Sequence, residues 1–130
     1  MSGTLVLVAE DDEDILLLVA TRLERDGFEV LQARDGNEAF ALAHKRHPAV
    51  AVIDVGMPGL DGFEVTARMR ADESLRNTLI VLLTARAQEA DVRRGLDAGA
   101  DMYLRKPFSP AKLSTSLKEL LKRHSSGGGA

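Results

Sequence analysis

The chain has 130 residues, 45% hydrophobic and 28% charged, enough for one globular domain with its own core. Seventeen Lys and Arg against twenty Asp and Glu give a formal net charge of −3, without the basic excess that direct nucleic-acid binding needs. Cysteine is absent, which excludes a disulfide framework and thiolate chemistry, and no apolar run approaches the roughly 20 residues of a membrane helix.

Residues 5–8 form a continuous apolar run, as expected of a strand covered on both faces. Leu16, Val19, Ala20 and Leu23 then follow helical spacing, and Gly27 stands where a helix ends. Residues 28–32 are more mixed and read as an edge strand. Ala39, Phe40 and Ala43 mark a second helix, closed by His47-Pro48. A continuous apolar strand covers 50–53, a helix about 62–71, and another apolar strand 79–83. A fourth helix is expected over about 88–98, with Gly99 beyond it, and a second edge strand over 102–105. Leu113, Leu117, Leu120 and Leu121 give the stripe of a last helix, opened by Ser109 as cap and Pro110 as first residue.

Five repeats of strand and helix point to a doubly wound parallel sheet with right-handed crossovers. Placing the two mixed strands at the edges gives the order 2-1-3-4-5, a flavodoxin-like arrangement. Residues 1–124 form the domain, and the Gly/Ser-rich residues 125–130 are expected to be a disordered tail. The N-terminus lacks a basic segment leading into a long apolar one, so a cytoplasmic location is expected.

In such a sheet, ligands bind beyond the carboxyl ends of the strands, where the strand order reverses. Glu10, Asp11 and Asp12 follow the first strand, and Asp54 ends the third. Thr84 ends the fourth, and Lys106-Pro107 follows the fifth. Carboxylates gathered together repel, so a cation is expected among them. Oxygen ligands without His or Cys favour Mg²⁺, with Mn²⁺ as alternative, over zinc. An aspartate can act as nucleophile and form an acyl phosphate, while a lysine and a threonine supply donors to phosphoryl oxygens. Asp12, Glu13 and Asp14 suit the positive end of a helix dipole, and a helix start is their expected role. Gly59, Asp61 and Gly62 read as turn residues. His44, His47 and His124 are scattered and expected at the surface.

Four segments in order carry a resemblance. Val8-Ala9-Glu10-Asp11-Asp12, Ile53-Asp54-Val55-Gly56-Met57-Pro58-Gly59-Leu60-Asp61-Gly62, Leu83-Thr84-Ala85 and Leu104-Arg105-Lys106-Pro107-Phe108 resemble the signatures of response-regulator receiver domains. The likeness covers residues 4 to about 123 and implies a CheY-like (βα)5 fold. It also implies Asp54 as the phosphoacceptor of a two-component or phosphorelay system. Glu10, Asp11, Asp54 and the backbone carbonyl of Gly56 are then the implied Mg²⁺ ligands, with Asp12 outside the set. Thr84 would contact the phosphoryl group and Lys106 would pair with it. Tyr103 matches an aromatic switch that turns inward as Thr84 moves. Gly56 and Arg86 match positions that tune phosphate lifetime, in a direction left open here. The Lys106–Pro107 peptide is implied to be cis.

The implied donor is a histidine kinase or histidine phosphotransfer protein. The implied output is a downstream protein bound through the fourth helix, fifth strand and fifth helix, with no direct nucleic-acid or membrane contact. Val92 and Met102 stand on that face where dimerising winged-helix transcription factors carry charges, so a monomer or a weak phosphorylation-dependent dimer is expected. The chain is not expected to be an enzyme, though it assists its own phosphorylation and dephosphorylation. No effector is expected within it, so a stand-alone receiver and one domain of a longer protein both stay open. An aspartyl phosphatase needs a second acid two residues after the nucleophile, where Gly56 stands, and no glycine-rich nucleotide loop follows a strand. The alternative is a receiver-like interaction module acting without phosphorylation.

Overall fold

The computed structural model describes residues 3–85 and 89–128. Strands β1 (Leu5–Ala9), β2 (Glu29–Ala33), β3 (Val50–Asp54), β4 (Leu79–Thr84) and β5 (Met102–Arg105) form one parallel sheet in the order β2-β1-β3-β4-β5. Between and after them run α1 (Glu13–Arg25), α2 (Gly36–Arg46), α3 (Gly62–Ala71), α4 (Glu89–Ala98) and α5 (Pro110–Gly128). This is the doubly wound fold expected from the sequence.

The continuous apolar strands have a simple cause. Alternate residues enter two different cores, so neither face of the sheet meets water. Leu7, Ala9, Ile53, Ile80 and Leu82 pack with Ala39 and Ala43 of α2 and Phe63 and Met69 of α3. Val6, Val8, Val52, Val81 and Leu83 pack with Leu16, Val19 and Leu23 of α1 and Leu113, Leu117 and Leu120 of α5. Every residue of β3 and β4 is buried, whereas β5 is half-buried.

Local chemistry sets the boundaries. Asp12 caps α1 by accepting from the N–H groups of Asp14 (2.9 Å) and Ile15 (3.2 Å). At the other end, the Gly27 N–H donates to Glu24 and the Phe28 N–H to Leu23, with Gly27 at φ +102. Phe28 therefore completes the helix stop, and β2 runs one residue later than its apolar pattern suggests. Asp61 and Glu64 form a reciprocal capping box at the start of α3. Ser109 caps α5 through Lys112. The α5 backbone continues as helix through residues 125–128, the segment whose composition suggested a disordered tail.

Candidate phosphoacceptor site

The carboxyl ends of β1, β3, β4 and β5 bring four sequence-predicted groups to one place. Glu10 directly follows β1, and its N–H continues the ladder by donating to the Ala33 carbonyl at 3.0 Å. Asp54 is the last residue of β3, and the next N–H, of Val55, donates to Leu83 at 2.9 Å. The Lys106 N–H donates to the Thr84 carbonyl at 2.7 Å, tying the ends of β4 and β5 together. The Lys106–Pro107 peptide is cis. These backbone bonds fix where each side chain starts.

The side chains then meet. The Lys106 ammonium lies 2.8 Å from Asp54 Oδ1 and 3.1 Å from Glu10 Oε1. Glu10 Oε2 also accepts from the Asp12 N–H at 3.2 Å. Glu10 and Asp54 are only 2% and 5% exposed, whereas Asp11 is exposed. Burial, then the neighbouring Asp54 charge, push the Glu10 carboxyl above its ordinary value, partly offset by the Asp12 N–H and Lys106. Burial alone would lower Lys106, but its bonds and charge interactions with Asp54 and Glu10 outweigh that and raise it. Lys106 is therefore a fixed cation at neutral pH.

Carboxylate oxygens of Glu10, Asp11 and Asp54 all lie within 4.8 Å of one another. Three carboxylates against one ammonium leave two negative charges, which a divalent cation would balance. A gathered, all-oxygen donor set of this kind suits a hard divalent ion such as Mg²⁺. Asp12 is engaged as the α1 cap and lies outside the cluster.

The remaining expected residues divide. Thr84 is buried at the end of β4. Gly56 is exposed, and a Cβ there would stand 3.7 Å from Asp54 Oδ2, so its glycine keeps that flank open without being sterically required. Tyr103 lies mid-strand in β5, paired with Leu82. Arg86 lies outside the described residues. Gly62 has a sharper role than turn chemistry: a Cβ would come within 2.8 Å of Val55 Cα and 3.0 Å of the Asp54 carbonyl, so α3 can start this close to β3 only with glycine.

One feature escaped the sequence reading. A mostly apolar groove of about 370 Å³ runs beside Lys106, lined among others by Ile15, Leu18, Val19, Phe108 and Pro110. Leu17 and Leu18 are 61% and 62% exposed on the same helix. The signal was available: two leucines lie off the helical stripe of Leu16, Val19, Ala20 and Leu23.

Among known proteins, the family model of the response regulator receiver domain matches residues 6–118. The alkaline phosphatase synthesis transcriptional regulatory protein PhoP of Bacillus subtilis (strain 168) is 41% identical over 118 residues, 91% of this chain and 48% of its own length. The chain thus spans about half the length of the curated relatives it matches. A CheY-like receiver domain protein from Methanospirillum hungatei JF-1 superposes with a TM-score of 0.90 at 27% identity, covering 97% of this chain and 99% of that one. The receiver domain of the sensor histidine kinase PA1611 from Pseudomonas aeruginosa PAO1 has a magnesium ion coordinated in its active site cleft. It superposes with a TM-score of 0.83 at 32% identity, covering 91% of this chain and 97% of that one. With the matched segment running from β1 into α5, this chain belongs to the response regulator receiver domain family.

Proposed function

We propose that Asp54 accepts a phosphoryl group from a histidine kinase or histidine phosphotransfer protein in the cytoplasm, and that the phosphorylated chain signals through a protein-interaction face. The observation that carries this reading is the Lys106 ammonium, which bridges buried Asp54 and buried Glu10 inside a cluster of three carboxylates.

In the transfer, an Asp54 carboxylate oxygen forms the new bond to phosphorus. The phosphorus–nitrogen bond of the donor's phosphohistidine breaks, and its electron pair leaves on the imidazole nitrogen. Glu10, Asp11, Asp54 and the Gly56 carbonyl would hold Mg²⁺ (Mn²⁺ being the alternative), which when bound offsets charge on the phosphoryl oxygens. Lys106 positions the Asp54 carboxylate before transfer and pairs with the phosphoryl group after it. The Thr84 hydroxyl donates to a phosphoryl oxygen. The chain is consumed stoichiometrically, one phosphate per molecule, and is an assisting acceptor, not an enzyme. Phosphate lifetime follows from how water reaches Asp54, and the open flank at Gly56 favours its access.

The donor protein gains an apolar footing in the groove beside Lys106 and on exposed Leu17 and Leu18. The output face is that of α4, β5 and α5, which offers a protein target the partly exposed Leu96 and half-buried Val92 and Met102. No direct nucleic-acid or membrane contact is proposed, and the chain is a monomer or a weak phosphorylation-dependent dimer.

Acetyl phosphate with Mg²⁺, followed by intact mass measurement, tests the chemistry. Wild type gains one phosphate and Asp54→Asn gains none; equal labelling of the two proteins would defeat the assignment.

A further inference from the structure

The groups assigned to the cation come from two separate loops. Glu10 and Asp11 follow β1, while Asp54 ends β3 and leads into the loop that carries the Gly56 carbonyl. The ladder between β1 and β3 stops at the pair Ala9 and Ile53, just short of Glu10 and Asp54. A cation pocket works only if its donors are held to within a fraction of an ångström, so past that point something else must fix the gap between the loops.

The connection from β2 to α2, residues 33–37, touches both loops. On one side the Glu10 N–H donates to the Ala33 carbonyl at 3.0 Å, and Arg34 pairs with Glu13 of α1 at 3.0 Å. On the other side Gly36, the buried first residue of α2, lies against Leu60. A Cβ on Gly36 would overlap the Leu60 carbonyl oxygen and stand 2.6 Å from Leu60 Cβ. Asn37 lies beside Gly59, where the loop turns at φ +75. The connection is itself well braced. The Asp35 side chain accepts from the Glu38 N–H at 2.8 Å, and its carbonyl accepts from the Ala39 N–H at 3.0 Å. The Glu38 side chain reaches back to the Arg34 N–H at 2.7 Å.

We propose that the β2–α2 connection is the spacer of the cation pocket, and that Gly36 is a positioning residue for Mg²⁺ binding. The contact it makes is stiff. A backbone carbonyl cannot rotate aside as a side chain does, so a methyl at position 36 shifts the loop as a whole. That shift changes the gap between the Gly56 carbonyl and the acids after β1. Coupling of this kind runs in both directions. Mg²⁺ joining the two loops therefore also tightens the first turn of α2, at the β2 edge of the sheet and remote from β5. The spacer rests on the cation site of the function proposed above, and it requires no phosphate.

Calorimetric titration of the full chain with Mg²⁺ tests the forward direction. Gly36→Ala is expected to bind about tenfold more weakly than wild type, or weaker still. Gly99→Ala is the control, because its methyl would stand 2.5 Å from Arg70 Cγ, before β5 and at the opposite end of the sheet from the site. It should lose stability and keep wild-type affinity. A folded Gly36→Ala protein with wild-type affinity overturns the proposal. An equal loss of affinity in Gly99→Ala overturns it too, since affinity would then merely follow stability. Hydrogen exchange on wild type tests the return direction, and it decides the matter if Gly36→Ala does not fold. Saturating Mg²⁺ should slow the Glu38 and Ala39 amides severalfold more than the His47 amide at the other end of α2. Equal slowing at both ends, or none, overturns the proposal. A wild type that binds no Mg²⁺ defeats the cation site itself, whereas binding that Gly36→Ala leaves unweakened defeats only the spacer.

Discussion

The turn from β3 into α3 and the hairpin-like corner of α4 and β5 are built on opposite plans. The first carries Asp54 and is braced from every side: β3 is wholly buried, and the Gly62 N–H closes the turn onto the Val55 carbonyl at 3.1 Å. The Asp61–Glu64 box fixes the start of α3, and Gly36 of α2 lies against Leu60, closely enough that a Cβ there would overlap the Leu60 carbonyl. The second is held by its backbone ladder to β4 and by bonds at its ends. Asp101 ties the beginning of β5 to Ile80 and Arg70, and Lys106 ties its end to Thr84. Between those anchors, the Tyr103 side chain is held by packing, with Gly95 of α4 against its ring, and its hydroxyl has no partner among the described residues. Chemistry at an acyl phosphate needs reacting groups fixed in place, whereas a signalling face needs an element with two arrangements close in free energy.

The largest expected effect comes from attacking the braced side. Gly62→Ala forces its methyl against Val55 Cα and the Asp54 carbonyl, and overpacking of this kind costs about 2 to 3 kcal/mol. Urea denaturation should show that loss together with slower phosphate uptake; a wild-type midpoint would mean the turn is as yielding as the α4–β5 corner. Next comes the metal. Asp11→Asn should weaken Mg²⁺ binding by about tenfold or more, near 1.4 kcal/mol. Asp12→Ala should instead leave Mg²⁺ affinity in place and cost about 1 kcal/mol of stability through the lost α1 cap. Isothermal titration and melting on the same samples separate the two, and equal metal effects would show that the site boundary is misplaced. On the loosely held side, Tyr103→Phe removes a hydroxyl without a partner among the described residues, so stability should stay within about 0.5 kcal/mol of wild type or rise. A loss above roughly 1 kcal/mol would reveal a hydrogen bond to that hydroxyl and a firmer corner.

The smallest effect concerns pH, at a corner serving as a control for both. Asp26 at the end of α1 accepts from Arg22 at 2.8 Å and from Ser114 of α5 at 2.5 Å, and these bonds hold its carboxyl below 3.8. Because its folded value is depressed, its contribution is present above 3.8 and is lost as pH falls through the lower folded value. Glu10 has the opposite sign: with its folded value raised, its contribution is present below 4.5 and is lost as pH rises through the folded value. Acid titration of stability without Mg²⁺ should therefore show a shallower acid limb in Asp26→Asn. An unchanged limb in that variant would mean that Asp26 does not titrate in this way.

Much of this was legible in the sequence, for physical reasons. Runs such as Val50 to Ile53 and Leu79 to Leu83 announce strands covered on both faces, and the mixed runs fall at the edges, as the flavodoxin-like order expects. Glu10, Asp11, Asp54 and Lys106 each stand where a strand ends, and an open parallel sheet gathers those ends. Asp12 was told from Asp11 by the resemblance, which puts the acidic pair directly after the strand, and Asp12 stands in the structure as the cap of α1. What was hidden depends on distances across the fold. Gly62 and Gly36 look like turn and cap residues until the neighbouring backbone is seen, and Gly95 looks like a weak point in a helix. Phe28 looked like strand because it is apolar and buried, yet its N–H belongs to the stop of α1. The inward position of Tyr103 is a choice of rotamer, which no local pattern encodes.

The fit between Gly95 and the Tyr103 ring also has a consequence for inheritance. Volume at position 95 and volume at position 103 draw on one shared space, so neither can grow unless the other shrinks. Lineages that carry a larger residue at position 95 should carry a smaller one at 103, or a trimmed residue at 82. A designer grafting this corner onto another receiver would have to move all three residues together.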